Sequence, residues 1–141
     1  MWSTAQYRNL VRASGLYDLV VTLGFAAPWS FALLHEGLSG LHGGLGLAGE
    51  IPPFAPVHML MANLMGSIVC VWAWLRIRHP EQRFGRYDGA GRVLFSAWML
   101  YALLKGASGL LWGMLLLEVL WAMAQLAPVL RGRAAKTADV V

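Results

Sequence analysis

The chain reads as an all-α polytopic membrane protein. The expected architecture is a four-transmembrane-helix bundle with both termini cytoplasmic and a glycine-rich outer loop between helices 1 and 2. Three observations lead there. Of 141 residues, 58% are apolar and only 13% are charged, about half the charged share of a soluble domain. The apolar residues fall in four blocks, at 16–34, 57–75, 89–105 and 109–130, near the length that crosses a bilayer. Of the eleven Lys and Arg residues, all but Lys105 lie before the first block, between the second and third, at the start of the third, or after the fourth. The positive-inside rule makes that side cytoplasmic, so the number of spans is even.

Each element has a local reason. Span one, 16–34, is interrupted near its end by Pro28, which membrane helices tolerate. Span two, 57–75, is opened by Pro52, Pro53 and Pro56, and proline suits a first helical turn. Span three, 89–105, is short and includes Arg92 and Lys105 as snorkelling ends. Gly106-Ala107-Ser108-Gly109 forms a tight turn into span four, 109–130, so spans three and four make an antiparallel hairpin. One membrane domain covers 1–141, and the tail 131–141 is read as flexible. Met1 to Ser14 has no cleavable-leader pattern.

The outer segment from His35 to Pro56 carries no Lys or Arg and is dense in glycine. Its glycine spacing fits no nucleotide fingerprint. Leu34, Leu38, Leu41 and Leu45 recur at helical spacing, which predicts a short interfacial helix. His35, Glu36, His42, Glu50 and His58 collect on this side. Imidazoles and carboxylates are metal ligands, but the spacing matches no metal motif, and the residues are read as interfacial polar groups with no metal. The single cysteine, Cys70, excludes an intramolecular disulfide. The net charge of +4 is explained by topology, so no nucleic-acid partner is expected. No pair of histidines shares a depth suited to haem, and no cofactor is expected.

The candidate site centres on Glu118, a lone acid within the apolar run 109–124. A carboxylate at that depth costs a few kcal/mol unless it is partnered or protonated. At about 1.5 Å per residue, Glu118 lies roughly 13 Å deep and Asn63 roughly 9 Å, with Tyr101 near Asn63. Asn63, Tyr101 and Glu118 are therefore expected to meet in one layer, with Trp98 as an aromatic wall. Ala62, Gly66 and Cys70 form a small-residue stripe that turns this face of span two inward. Asp18 is expected in an ion pair at the interface with Arg12, Arg76 or Arg92. Asp88 and Arg92, four apart, are expected to pair along the start of span three. Glu81, Arg83, Arg86 and Asp88 read as a solvated loop.

This topology resembles the DoxX-like group of small bacterial membrane proteins. It is also similar to the EXPERA-type helix bundles of sterol isomerases and the sigma-2 receptor. The DoxX-like resemblance implies a thiosulfate-oxidising role, for which Cys70 supplies no thiol pair. The EXPERA resemblance implies several acids around an inward-facing ligand cavity. No functional residue is carried over from either group.

The expected function is that of a small protein of the bacterial inner (cytoplasmic) membrane without enzymatic activity. It would be an accessory or assembly subunit, or would bind a small lipophilic molecule within the bundle. Its partners would be the lipid bilayer and another membrane subunit or a second copy of itself. The alternative is a membrane enzyme acting on a lipophilic substrate, with Glu118 as acid or base, or a component of a small transporter or proton pathway.

Overall fold

The computed structural model describes residues 1–129. The tail 131–141, read above as flexible, lies outside the described residues. Within them the chain is all-helical: α1 Thr4–Thr22, extended by a 3-10 turn Leu23–Phe25, then α2 Pro28–Gly44, α3 Pro56–Arg78, α4 Gln82–Leu104 and α5 Leu111–Leu126.

The first apolar block is not one helix. A helix begins at Thr4, where Ser3 and Gln6 form a reciprocal capping box, with the Gln6 backbone N–H donating to Ser3 Oγ at 3.2 Å and Ser3 N–H to Gln6 Oε1 at 2.9 Å. It ends at Phe25, and the chain then turns by 96° into α2. Pro28 is the cause. It has no N–H to continue the ladder, and it forces Ala27 into extended geometry at φ −139°, ψ 151°. Pro28 therefore opens α2 rather than interrupting a span. The helical reading of the leucines at 34, 38 and 41 holds, since all three lie on α2.

The other boundaries also move. Span three begins earlier than its apolar run, because Gln82 to Asp88 is the first part of α4 and not a solvated loop. The fourth apolar block holds the shorter α5. Among the described helices, only α3 is long and apolar enough to cross a membrane alone, and α1 with α2 passes as a bent pair.

Packing divides the molecule into two helix pairs. α1 lies along α3, and α4 lies along α5. Gly66 allows the first pair to close, since a Cβ there would lie 2.6 Å from the Phe25 carbonyl carbon and 2.8 Å from the Ala26 nitrogen. At the end that holds the N-terminus α1 also meets the second pair: Trp2 Nε1 donates to the Ala124 carbonyl at 2.8 Å, and the Tyr7 hydroxyl to the Gln125 carbonyl at 2.6 Å. At the opposite end the segment after α2 docks on the α4–α5 turn. Glu50 N–H donates to Gly106 O, Ser108 N–H to Glu50 O and Gly109 N–H to Ala48 O, at 2.8–3.0 Å. Gly49, at φ +87°, permits this approach, because a Cβ there would lie 2.3 Å from the Ala107 carbonyl oxygen. Between these two ends the α3 and α4 backbones stay apart.

Gly66→Ala is expected to destabilise the protein by about 1–3 kcal/mol through overpacking against backbone. Gly91→Ala, with open space around its site on α4, is expected to be neutral or to stabilise by up to about 1 kcal/mol. Unfolding of both variants in detergent micelles checks this. Equal losses at the two positions would contradict the close α1–α3 contact.

Candidate functional site

The buried interior is mostly polar. Ser14, Asp18, Arg76, Asp88, Arg92, Ser108, Glu118 and Gln125 are buried, whereas Val20, Leu33, Met123 and many other large apolar side chains are exposed. Among the described residues, seven of the eight buried polar ones, all but Ser108, meet in one cluster where α1, α3, α4 and α5 come together.

Arg92, from α4, is its hub. Its Nη2 donates to both oxygens of Asp18 at 2.6 and 2.7 Å, its Nη1 to both oxygens of Glu118 at 3.0 and 2.9 Å, and its Nε to Asp88 Oδ2 at 3.1 Å. Arg76, from α3, is the second cation. Its Nη1 donates to Asp88 Oδ2 at 2.5 Å and to Ser14 Oγ at 2.8 Å, and its Nη2 donates to Asp18 Oδ2. Gln125, from α5, adds bonds from Nε2 to Asp88 Oδ2 at 2.8 Å and to Ser14 Oγ at 2.7 Å. Trp72 Nε1 donates to Asp88 Oδ1 at 2.9 Å. The guanidinium of Arg92 also lies 5.7 Å from the ring centroids of both Tyr17 and Trp121, a cation–π distance.

The planar fork of arginine explains the choice of residue. One guanidinium presents five donors in fixed directions and stays charged. Two of them satisfy three carboxylates from different directions, which two ammonium groups would not do. At the margin of the cluster, burial holds the Tyr7 phenol above its ordinary value; Arg86 opposes this and Asp88 adds to it.

The expected site is brought together only in part. Glu118 is buried, but its carboxylate bonds to Arg92 and not to Asn63 or Tyr101. Asn63 Nδ2 donates to the Phe25 carbonyl at 2.8 Å, holding the end of α1. Tyr101 is exposed, with Lys105 Nζ 5.7 Å from its ring. Trp98 is exposed and lines the groove described below. Asp18 pairs with Arg76 and Arg92, two of its three expected partners, and the Asp88–Arg92 pair forms as spaced. The expectation of a solvated loop misplaced Asp88. Its usable signal was Gly85 and Gly89, small residues one helical turn apart that let α4 pack closely from its first turns.

The outer polar residues do not converge. His35 Nε2 shares a hydrogen bond with the Pro52 carbonyl at 3.0 Å, and its ring lies against Phe31 and Phe54. His42 Nδ1 shares one with Ser108 Oγ at 2.8 Å. His58 stands edge-on to Phe54, while Glu36 and Glu50 are exposed. Among the described residues no three His, Cys, Asp or Glu side chains are placed so that they could hold a metal ion.

A groove of about 660 Å³ runs between α3 and α4, reaching back to α1 and α5. Its walls are apolar, with Phe25, Met65, Phe95, Trp98 and Met114 among them. Its floor is the charged cluster, which reaches it through Asp18, Asp88, Arg92 and Glu118.

Arg92→Met is expected to destabilise the fold by about 3–5 kcal/mol, because three buried carboxylates lose a shared partner. Arg83→Ala removes only the exposed pair with Glu81 and is expected to cost under about 1 kcal/mol. Thermal unfolding of the two variants side by side checks the contrast, which equal losses would overturn. No family model, no curated protein and no solved structure matches the chain.

Proposed function

We propose that the chain is a small four-span protein of the bacterial inner membrane, with both termini cytoplasmic, that holds a small lipophilic molecule in the α3–α4 groove. The inverted burial pattern supports the membrane part. In water, charged residues are almost never fully buried and large exposed apolar patches are rare. A bilayer reverses both preferences: lipid covers the exposed leucines and valines, and charges face the bundle interior. α3 is long and apolar enough to span alone, and α5 is apolar over its 16 residues apart from Glu118 and Gln125, which join the cluster. α4 places its charges at the inner end and in the cluster, leaving Val93 to Leu104 apolar apart from Ser96 and Tyr101.

The single observation that carries the binding role is the groove itself. Its volume lies within the roughly 300–1,000 Å³ of small-molecule sites, and apolar walls with a few convergent polar groups are the composition of such sites. The bilayer is the partner that covers the outer surface and the medium from which a lipophilic ligand enters between α3 and α4.

Gly91 offers a test, because it borders the groove with open space around it and makes no bond in the charged cluster. An uncharged naphthalene fluorophore is expected to bind the full-length protein in nanodiscs saturably, above the lipid background. Gly91→Leu is expected to weaken that binding by at least about tenfold with unchanged thermal stability. Absence of saturable binding to the wild-type protein would sink the proposal.

A further inference from the structure

We propose that the chain holds a phosphate group in a second pocket, formed where α1 begins, α3 ends and α4 begins. This site stands apart from the groove, with which it shares no lining residue. The pocket has a volume of about 420 Å³. Tyr7 and Pro80, both buried, back it. Its edge carries Arg8 from α1 and Arg78 from the last turn of α3. Among the described residues neither guanidinium makes an ion pair, and Arg78 lies 5.8 Å from the ring centroid of Trp74. A guanidinium stays charged at any physiological pH. Glu81, the carboxylate on the described lining, is already paired with Arg83 Nε at 2.7 Å. Two positive charges therefore border one space with no anion to answer them.

Neutral donors join the arginines. Thr4 brings a hydroxyl, His79 a ring nitrogen and Gln82 a side-chain amide to the lining. α4 also starts here, and its N-cap residue Glu81 makes no side-chain cap bond. First-turn amides have no partner within their own helix, and with the helix dipole they favour an anion. The carbonyls that end α3 oppose this only in part, since Leu75 O accepts from the His79 N–H at 2.8 Å and Ile77 O from Arg12 Nε at 3.4 Å. Two guanidinium forks and these neutral donors outnumber the roughly four acceptor sites of a carboxylate. A phosphate group offers three strong acceptor oxygens and up to about two negative charges, and arginine grips it two bonds at a time. The pocket is larger than a bare phosphate ion, so a larger molecule carries the group. The headgroup of an anionic phospholipid and a soluble phosphate ester share this chemistry. In the topology proposed above, this end lies among the anionic headgroups of the inner leaflet.

The test uses the full-length protein in neutral maltoside micelles and has two arms. In the first, dioleoylphosphatidylglycerol is titrated and retained lipid is counted by native mass spectrometry, with dioleoylglycerol as the same lipid without phosphate. In the second, glycerol 3-phosphate is titrated by calorimetry. Saturable binding of one equivalent is expected in at least one arm. The first arm alone assigns the site to a lipid headgroup, the second alone to a soluble ester, and both together to the phosphate group common to them. Arg8→Gln and Arg78→Gln, each on an exposed side chain, are each expected to weaken that binding by at least about tenfold. Arg12→Gln removes the same charge four residues along α1, from a side chain that does not line the pocket, and is expected to change it by less than about threefold. Saturation in neither arm would overturn the proposal. An equal loss in Arg12→Gln would reduce the effect to diffuse surface charge and overturn it too, as would lipid retention that is the same with and without phosphate when glycerol 3-phosphate does not bind.

Discussion

Everything in this fold passes through the contact between Arg92 and three carboxylates. Asp18 comes from α1, Asp88 from α4 itself and Glu118 from α5, and Arg76 brings in α3 through the first two. Four helices are thus tied at one level by charges that none of them could bury alone. Desolvating five charged groups is expensive, and the attraction between them offsets that expense only when nearly every lone pair and proton is used. Ser14, Gln125 and Trp72 contribute to that, since their side chains take bonds the ions leave open, while Arg76 Nε and Gln125 Oε1 stay buried without a partner. Removing one member leaves its partners charged, buried and unmatched. For that reason the cluster behaves as a unit rather than as a set of separate ion pairs.

The groove follows from the same arrangement. The helices are joined at one end by α1 and the charged cluster, and at the other by the Glu50–Ser108 backbone bonds. Between these two ties α1 keeps to α3 and α4 keeps to α5. Space between the pairs is what remains. Small residues set its shape: Gly66 draws the first pair tight, while Gly91 leaves room on the opposite wall. A pocket with an ionic floor is therefore a consequence of two well-packed pairs meeting at one polar level.

Much of the helical content was legible in the sequence, because apolar runs, Pro56 and the Gly106 turn each act through local backbone chemistry. The hairpin of α4 and α5 and the Asp88–Arg92 spacing belong to the same class. The break at Pro28 was visible as a residue but not as a 96° turn, since the angle depends on how Ala27 and the packing of Phe25 against Asn63 and Gly66 resolve the missing bond. Glu118 stood out as an acid in an apolar run, yet its partner could not be read from depth along isolated helices. Depth counting assumed that each span begins with its apolar run. α4 instead begins at Gln82, so Asp88 and Arg92 lie well inside the helix. Asn63 and Tyr101 drew attention by polarity alone. One holds a helix end, and the other faces outward.

The central claim is that the Arg92 cluster, and not apolar contact, sets the spacing of the two helix pairs. Spin labels on Leu64 of α3 and Leu100 of α4, both exposed, with Cys70 replaced by serine, report that spacing by pulsed electron–electron resonance. The account predicts one narrow distance distribution in the otherwise native protein and a clearly broadened one in Arg92→Met, at unchanged helical circular dichroism. An equally narrow, unshifted distribution in the variant would contradict it.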